Sequence, residues 1–320
     1  MIGYVLRRLV LAVSMVWAVS FGTFVAFGLS FDPTYEYNLC TTEECARERR
    51  EVIAIYHLHD PILERYRLWL VGLFRHGFGT APSSWTPGSG GRPIGPQLWP
   101  AARVTAELLG SALVLTVVLS IVVGVVAARL SGSPLDWLLR LLAYVSWSLP
   151  TFLVGVLAVR GLGGVAWFNF GYAEKGFGGW LRWISLPAST LSLGLVGVYS
   201  RYIRSGMLVE LRQPYAVVAR AKGLRESRVV LRHALRNSLA PFVSLLSLEL
   251  ASVVGAALAT EYVFHLPGLA VFFLGSLGSA DPFVLTAILV VIGAVVAAAS
   301  FLADLAVGRL DPRVRAAALR

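Results

Sequence analysis

Long apolar windows without a charged residue are the feature that most limits what this chain can fold into. A helix needs about 20 apolar residues to cross the hydrocarbon core of a bilayer, and most of these windows reach that length. A further window, 237–260, is interrupted only by Glu249. The chain is therefore predicted to be an all-α membrane protein. The uncharged windows are 9–31, 108–128, 141–159, 183–200, 262–280 and 282–303.

The composition agrees with a membrane protein. Charged residues make up 14% of the chain and the mean hydropathy is +0.71, whereas soluble domains carry about 25% charged residues. On a soluble protein the net charge of +10 would suggest a nucleic-acid partner. Membrane proteins, however, collect Lys and Arg on their cytoplasmic loops. We therefore expect a lipid bilayer around this chain and no nucleic acid.

Six transmembrane helices, with both termini in the cytoplasm, fit the charges best. The stretch 201–236 carries nine Arg or Lys against two Glu, and the C-terminal tail is also basic. Six spans place both on one side, whereas a seventh would separate them. The window 262–280 is interpreted as partly re-entrant or interfacial, because His265 and the Pro267-Gly268 pair interrupt a helix. The predicted spans are about 9–30, 106–128, 138–160, 186–206, 240–260 and 283–305.

The chain is divided into four parts on this basis. The N-terminal tail and first helix take residues 1–30, an extracytoplasmic cap 31–104, the transmembrane core 105–308 with a coupling loop at 207–239, and a cytoplasmic tail 309–320. Within the cap, Glu43 to Leu73 has the pattern of an amphipathic helix. The stretch 82–100 is rich in Pro and Gly and is predicted to be an irregular loop.

Cys40 and Cys45 lie in the cap with four residues between them. No further Cys or His cluster accompanies them, so neither zinc nor another metal is expected. A local disulfide is plausible if the segment faces an oxidising exterior, and two free thiols are the alternative.

The sequence contains no motif for covalent chemistry. It lacks G-x-x-x-x-G-K-[ST], H-E-x-x-H and G-x-S-x-G, so it is not expected to be an enzyme or to bind a cofactor. The energy for transport would come from a partner or an ion gradient. A proton-coupled carrier would use acids inside its helices, but Glu249 alone is weak support for one.

Three residues are candidates for a translocation pathway. Glu249 either faces the pathway or forms a hydrogen bond within a helix pair. Near Pro150, Ser148 and Thr151 either satisfy backbone groups that the proline frees or line the cavity. Both alternatives remain open for each residue.

The basic loop contains a predicted short helix. Tyr215 to Ala221 are fair helix formers, and Gly223 is placed to end the helix. The small side chains of Ala216, Ala219 and Ala221 would let a partner's backbone approach, and Arg220 and Lys222 could meet carboxylates. The alternative is an ordinary basic cytoplasmic loop, which would explain the charges but not a capped helix.

This loop resembles the coupling segment of bacterial ABC importer permeases of the dipeptide, oligopeptide and nickel branch. It reads Ala219-Arg220-Ala221-Lys222-Gly223-Leu224, followed by His233-Ala234-Leu235-Arg236-Asn237-Ser238 and Pro241. Other stretches similar to the same branch are Arg7-Arg8-Leu9, His59-Asp60-Pro61, Arg103-Val104-Thr105, Ser148-Leu149-Pro150-Thr151-Phe152, Phe264-His265-Leu266-Pro267-Gly268-Leu269 and Asp311-Pro312-Arg313-Val314-Arg315. The chain departs from the branch at Ser30-Phe31-Asp32-Pro33, where its members usually carry a Pro-Gly-Asp-Pro-like turn.

The resemblance implies a type I ABC importer permease in a bacterial inner membrane. Two such subunits would form the pore, two cytoplasmic ATPases would bind ATP and Mg²⁺, and an extracytoplasmic binding protein would deliver the solute. The solute would be a di- or oligopeptide, with nickel or another small solute as the alternative. The residues that the resemblance assigns to ATPase coupling are Tyr215, Ala219, Arg220, Ala221, Lys222, Gly223 and Leu224.

Overall fold

A computed structural model describes residues 2–35, 37, 41–76, 78, 80–81, 92–165, 167–168, 176–278 and 282–310. Helices dominate these residues, and the only strands among them, Thr80–Ala81 (β1) and Arg92–Pro93 (β2), pair antiparallel with Thr80 opposite Pro93. A π-helical segment, Val229–Ala234, lies between α9 and α10. The helices are α1 Ile2–Ser30, α2 Glu43–Ile55, α3 Ile62–His76, α4 Gly95–Arg129, α5 Pro134–Ser148, α6 Thr151–Leu162, α7 Phe177–Glu210, α8 Pro214–Ala221, α9 Glu226–Arg228, α10 Leu235–Phe264, α11 Leu269–Gly278 and α12 Pro282–Leu310.

Among the described residues, four helices are long and apolar enough to cross a membrane: Val5–Ser30 of α1, α4, α7 and Pro282–Leu302 of α12. Two pairs of consecutive helices, each sharply bent at a short break, are long and apolar enough only when each pair is taken as one unit. These pairs are α5 with α6, and the second half of α10 with α11. The structure therefore offers four spans, or up to six if each pair is one span. This confirms the all-α class, while the count of six and the side of each terminus stay predictions.

The predicted single helix 138–160 was wrong, because the chain bends by 102° between α5 and α6. Pro150 is the cause. The residue before a proline is sterically disfavoured in the α region, and Leu149 accordingly has extended torsions (φ −88°, ψ 128°). Pro150 then caps α6, which begins at Thr151.

The predicted boundaries of the cap also change. α4 begins at Gly95, so the end of the expected irregular loop is helical. Pro96 lies in the first turn, where its missing N–H would have no partner anyway, and Pro100 removes one hydrogen bond from a helix of 35 residues. Residues 82–91 lie outside the described residues. The single helix expected over Glu43 to Leu73 is two helices, α2 and α3, separated by a turn that ends at Pro61.

The predicted interruption after the fifth span is confirmed. α10 ends at Phe264, and His265 adopts the left-handed conformation (φ 53°). The Leu266 N–H then donates to the Glu261 carbonyl at 2.9 Å, which is the capping bond of a helix that ends in this way. The re-entrant interpretation of 262–280 stays a prediction.

The chain forms two compact units. The first contains the described residues of 1–9, 105–266 and 298–320, and the second those of 10–104 and 267–297. An aromatic cluster holds the second unit together, in which the Phe24 ring contacts Tyr66, Trp69 and Phe283. The Tyr66 hydroxyl also shares a hydrogen bond of 2.8 Å with Ser20.

α7 lies at the centre of the first unit and packs against α5, α6 and α10. A buried ion pair fixes α5 to it: Arg204 donates through Nε and Nη2 to the two carboxylate oxygens of Asp136, each at 2.7 Å. The Asp136 carboxylate has no solvent exposure and also accepts from the Gly132 N–H at 3.0 Å. Because removal of either partner would leave a buried charge uncompensated, this pair holds the two helices in one register.

Close packing at Gly197 generates a stability prediction. A Cβ at this position would lie 2.5 Å from the Ala143 carbonyl oxygen of α5, which is part of the backbone and cannot move aside. We expect Gly197→Ala to lower the free energy of unfolding in detergent by about 1–3 kcal/mol through overpacking. The matched control is Gly110→Ala in α4, where a Cβ meets nothing within 4 Å. It should keep or raise the thermal midpoint, since Ala favours a helix over Gly. Equal midpoints for both variants would contradict the packing described.

Candidate coupling site and translocation cavity

The predicted helix in the basic loop and its cap are confirmed. α8 has Pro214 in its first turn and ends at Ala221. Gly223 has φ 77°, a conformation that costs a residue with a Cβ. Its N–H donates to the Arg220 carbonyl at 2.9 Å, and the Leu224 N–H donates to the Ala219 carbonyl at 3.2 Å. These two bonds form a Schellman motif, which ends the helix sharply.

The two alanines expected to meet a partner instead face the inside of this chain. Ala216 is fully buried and Ala219 is 7% exposed, and both pack against the buried side chain of Val229. A helix of eight residues has little stability alone and must bury a face. The partner-facing interpretation of Ala216 and Ala219 was therefore wrong: their small side chains make room for the π-helical segment. Ala221 remains exposed.

Arg220 is also engaged within the chain. Its Nε and Nη2 donate to the two carboxylate oxygens of Glu226 at 3.0 and 2.8 Å, and its Nη1 donates to the Leu211 carbonyl at 3.1 Å. The hydrogen bond with Arg220 lowers the pKa of Glu226 and raises that of the guanidinium. Arg220 thus ties the end of α8 to the residues on both sides of it. Its contact with a partner's carboxylate stays a prediction.

Tyr215 links α8 to the two long helices that flank the loop. Its hydroxyl donates to Glu210 Oε2 in the last turn of α7 at 2.6 Å, and accepts from Asn237 Nδ2 in α10 at 3.1 Å. Burial, followed by the hydrogen bond with Glu210, raises the pKa of this phenol. Tyr215 therefore joins α8 to both α7 and α10.

The π-helical segment Val229–Ala234 connects α8 to the packed core around α7. Val229 packs on α8, whereas Val230 and Ala234 are buried in the cluster that includes Tyr199 and Met207 of α7. Because interiors are close-packed and resist compression, this segment acts as a wedge between α8 and α7. We call Val229–Ala234 the wedge below.

The exposed face of α8 carries residues that the sequence interpretation missed. Val217 is 56% exposed and Val218 is 51% exposed, and both are adjacent to the exposed Ala221 and Lys222. The signal was present, since Ala216 and Ala219 are three positions apart and share one face, which leaves Val217 and Val218 on the other. Gly223 is exposed and Leu224 is half-buried against the alanine cluster.

A cavity of about 560 Å³ lies between the α5–α6 bend, α7 and α10. Thr151 and Glu249 line it, as expected of pathway residues. Ser148 is not among its lining residues; its hydroxyl donates to the Tyr144 carbonyl, one turn earlier in α5, at 2.8 Å. Tyr199 and Arg201 also line the cavity and were not singled out from the sequence. The pathway role of Ser148, Thr151 and Glu249 stays a prediction.

The predicted disulfide cannot be placed in this structure, because Cys40 lies outside the described residues. The Cys40–Cys45 bond therefore stays a prediction.

The fold and the sequence of this chain are both similar to those of known proteins. The fold is similar to that of the MetNI methionine ABC transporter in its inward-facing conformations, with a TM-score of 0.54, 18% identity, and coverage of 68% of this chain and 98% of that chain. At this identity the likeness shows the fold, which is that of an ABC transporter permease.

The family follows from the sequence comparisons. The model for "binding-protein-dependent transport system inner membrane component" matches residues 120–316. The oligopeptide transport system permease protein OppB of Mycobacterium tuberculosis is 32% identical over 98% of this chain and 99% of that protein. The dipeptide transport system permease protein DppB of Bacillus subtilis is 31% identical over 86% and 85%. The chain belongs to this family and is a multi-pass protein of the inner membrane, which confirms the resemblance.

Arg220 forms an ion pair within the chain, whereas Lys222 forms none among the described residues. Hydrogen exchange of the α8 amides in detergent can test this difference. Arg220→Glu breaks the pair with Glu226 and adds repulsion, so exchange should accelerate by roughly two- to fivefold, since an exposed pair contributes about 0.2–1 kcal/mol. The swapped double variant Arg220→Glu/Glu226→Arg should restore the original rate. Lys222→Glu, which breaks no ion pair among the described residues, serves as the control and should leave the rate unchanged. Fast exchange in the double variant would refute the internal role of Arg220.

Proposed function

We propose that this chain is one of two permease subunits that together form the pathway of an ATP-driven, binding-protein-dependent importer of di- or oligopeptides. The observation that carries the proposal is a capped helix outside the apolar spans, with an exposed apolar face and firm contacts to two long helices. The relatives named above, which are an oligopeptide and a dipeptide permease, support a peptide as the solute.

The topology that we propose has six spans and both termini in the cytoplasm. Each broken pair, α5 with α6 and α10 with α11, would count as one span. The stretch 201–236 holds nine Arg or Lys, and the positive-inside tendency assigns such a loop to the cytoplasm. An even number of spans then places both termini on that side, and residues 31–104 face outward, where an extracytoplasmic binding protein would deliver the solute.

The exposed face of α8 is the part that would dock into a groove of a cytoplasmic ATPase subunit. Val217 and Val218 supply apolar area of the kind that forms the centre of protein interfaces. Lys222, at the end of the helix, would meet a carboxylate at the rim. ATP and Mg²⁺ would bind to the two ATPase subunits, since no phosphate-binding loop motif occurs in this sequence.

The contacts of α8 explain how an ATPase could operate the pore. A displacement of α8 would reach α7 through Tyr215 and the wedge, and α10 through Asn237. Both long helices line the 560 Å³ cavity. Because packed elements of this kind switch between discrete arrangements rather than deform, closure of the ATPases would change the access of the cavity from one side of the membrane to the other.

The docking role predicts that Val218→Asp and Lys222→Glu abolish ATP-driven uptake while the chain still inserts. Each change lies on the exposed face and leaves the buried contacts of Ala216 and Ala219 intact. Uptake of a labelled dipeptide should fall at least about tenfold, together with co-purification of the ATPase, because a charge would be buried or mismatched at the interface.

Lys222→Arg is the matched control, since it keeps the positive charge, and it should retain uptake within about twofold. Normal uptake by Val218→Asp at a normal membrane level would rule out docking through this face.

A further inference from the structure

The cavity between the α5–α6 bend, α7 and α10 contains two opposite charges, neither of which forms an ion pair with the described residues. Arg201 of α7 and Glu249 of α10 both line it. No carboxylate of the described residues lies within ion-pair distance of Arg201, and Glu249 makes no hydrogen bond or ion pair with them. Glu249 is exposed and Arg201 is half-buried, and ionised side chains within membrane helices are costly unless something solvates or pairs them. The cavity therefore offers charge of both signs to a ligand.

Arg204, one turn further along α7, has a structural role in this unit and serves as a comparison for Arg201. Its guanidinium is paired through two bonds to a carboxylate without solvent exposure. Arg201 differs, because its guanidinium lies over the rings of Tyr144 and Trp147, at 4.3 and 5.5 Å from their centres. Its Nε donates to the Gly197 carbonyl of its own helix at 3.1 Å. These contacts hold the group in one place and leave its Nη atoms without a carboxylate from the described chain.

A third polar group in the same cavity also lacks a partner. Tyr199 is 1% exposed, and its hydroxyl is buried without a hydrogen bond to the residues that the structure describes. A buried hydroxyl in this state costs free energy. Because its oxygen is closed off from solvent, it belongs to the wall of the cavity, and the two charges alone are offered to a ligand.

The remaining walls are apolar and suit a ligand whose side chains vary. Leu191, Leu195, Val198 and Val253 contribute aliphatic surface, and Trp147 contributes an aromatic ring. The volume of about 560 Å³ lies in the range of pockets that hold small organic ligands. A bare metal cation would be repelled by Arg201, and an anion by Glu249. A zwitterion with an apolar body matches all of these groups at once.

We infer that this cavity binds a zwitterionic peptide in transit, with Arg201 receiving the terminal carboxylate and Glu249 the terminal ammonium. The inference rests on the proposed function, which supplies the peptide. Planar guanidinium and carboxylate groups can form two parallel hydrogen bonds, so the carboxylate end is the better defined of the two. Recognition of the termini alone leaves the side chains of the peptide unspecified.

The test uses cells in which the complete transporter carries variants of this chain, and measures uptake of three labelled probes. The probes are trialanine, its C-terminal amide and its N-acetyl form. Each variant is compared with the wild type on the same probe, at matched membrane levels of the chain, so that selection by the binding protein cancels. We expect Arg201→Gln to lower uptake of trialanine on the order of tenfold and uptake of the amide by less than about twofold, because a charge-assisted pair is lost only with the free carboxylate.

Glu249→Gln should show the reverse selectivity, with a loss for trialanine and little change for the N-acetyl probe. Arg201→Lys keeps the charge and should recover part of the trialanine uptake. Arg182→Gln is the matched control: Arg182 is also on α7 and also lies over a ring, that of Trp167 at 5.3 Å, but it does not line the cavity. Arg182→Gln should change the uptake of all three probes equally or leave it unchanged.

The outcomes separate this inference from the function on which it rests. Equal losses on all three probes for Arg201→Gln, or no loss on any, would overturn the cavity proposal while leaving peptide import intact. Wild-type cells that import none of the three probes would overturn peptide import itself and, with it, the assignment of the cavity.

Discussion

The contact between α8 and the wedge is the interaction on which the proposed coupling depends. α8 has only eight residues, and its buried face consists of Ala216 and Ala219 against Val229. The wedge continues into the membrane core through Val230 and Ala234. In the proposed function, a displacement of α8 would reach α7 through this packed contact as well as through Tyr215. Small side chains at this point allow the backbones to approach, and their packing joins α8 to the long helices of the first unit.

Three arginines on or near α7 show how one residue type takes different roles according to what surrounds it. Arg204 holds α5 against α7 through a buried carboxylate, and Arg220 closes the end of α8 through Glu226. Arg201 lies over aromatic rings and lines the cavity. No carboxylate of the described residues, Glu249 included, lies within ion-pair distance of its guanidinium. In the sequence all three count equally toward the basic loop that assigns the cytoplasmic side. The structure distinguishes them: Arg204 and Arg220 form ion pairs within the chain, whereas Arg201 lines a cavity.

Local signals predicted local structure well. The charge-free windows predicted the membrane class, and the helix formers followed by Gly223 predicted α8 and its cap, because both depend on neighbouring residues. Pro150 was harder, since a proline can begin, bend or end a helix, and only packing decides among these. The spacing of Ala216 and Ala219 places them on one face of α8, but which face is covered depends on packing against the wedge, which lies outside the helix itself. The Arg201 and Tyr199 cavity was missed since its walls come from positions far apart in the chain.

The proposed coupling of α8 to the wedge is tested most directly by locking the two together with a reversible covalent bond. A chain carrying Ala219→Cys and Val229→Cys, within the complete transporter, would be oxidised and reduced in membrane vesicles, with the wild-type chain treated in parallel. Mass spectrometry would identify the fraction that carries the new bond. If α8 and the wedge move as one body, as the proposed coupling requires, ATP-driven uptake should be the same in the bonded and reduced states. Loss of uptake on bond formation, with recovery on reduction, would show that the two must move apart and would contradict this coupling.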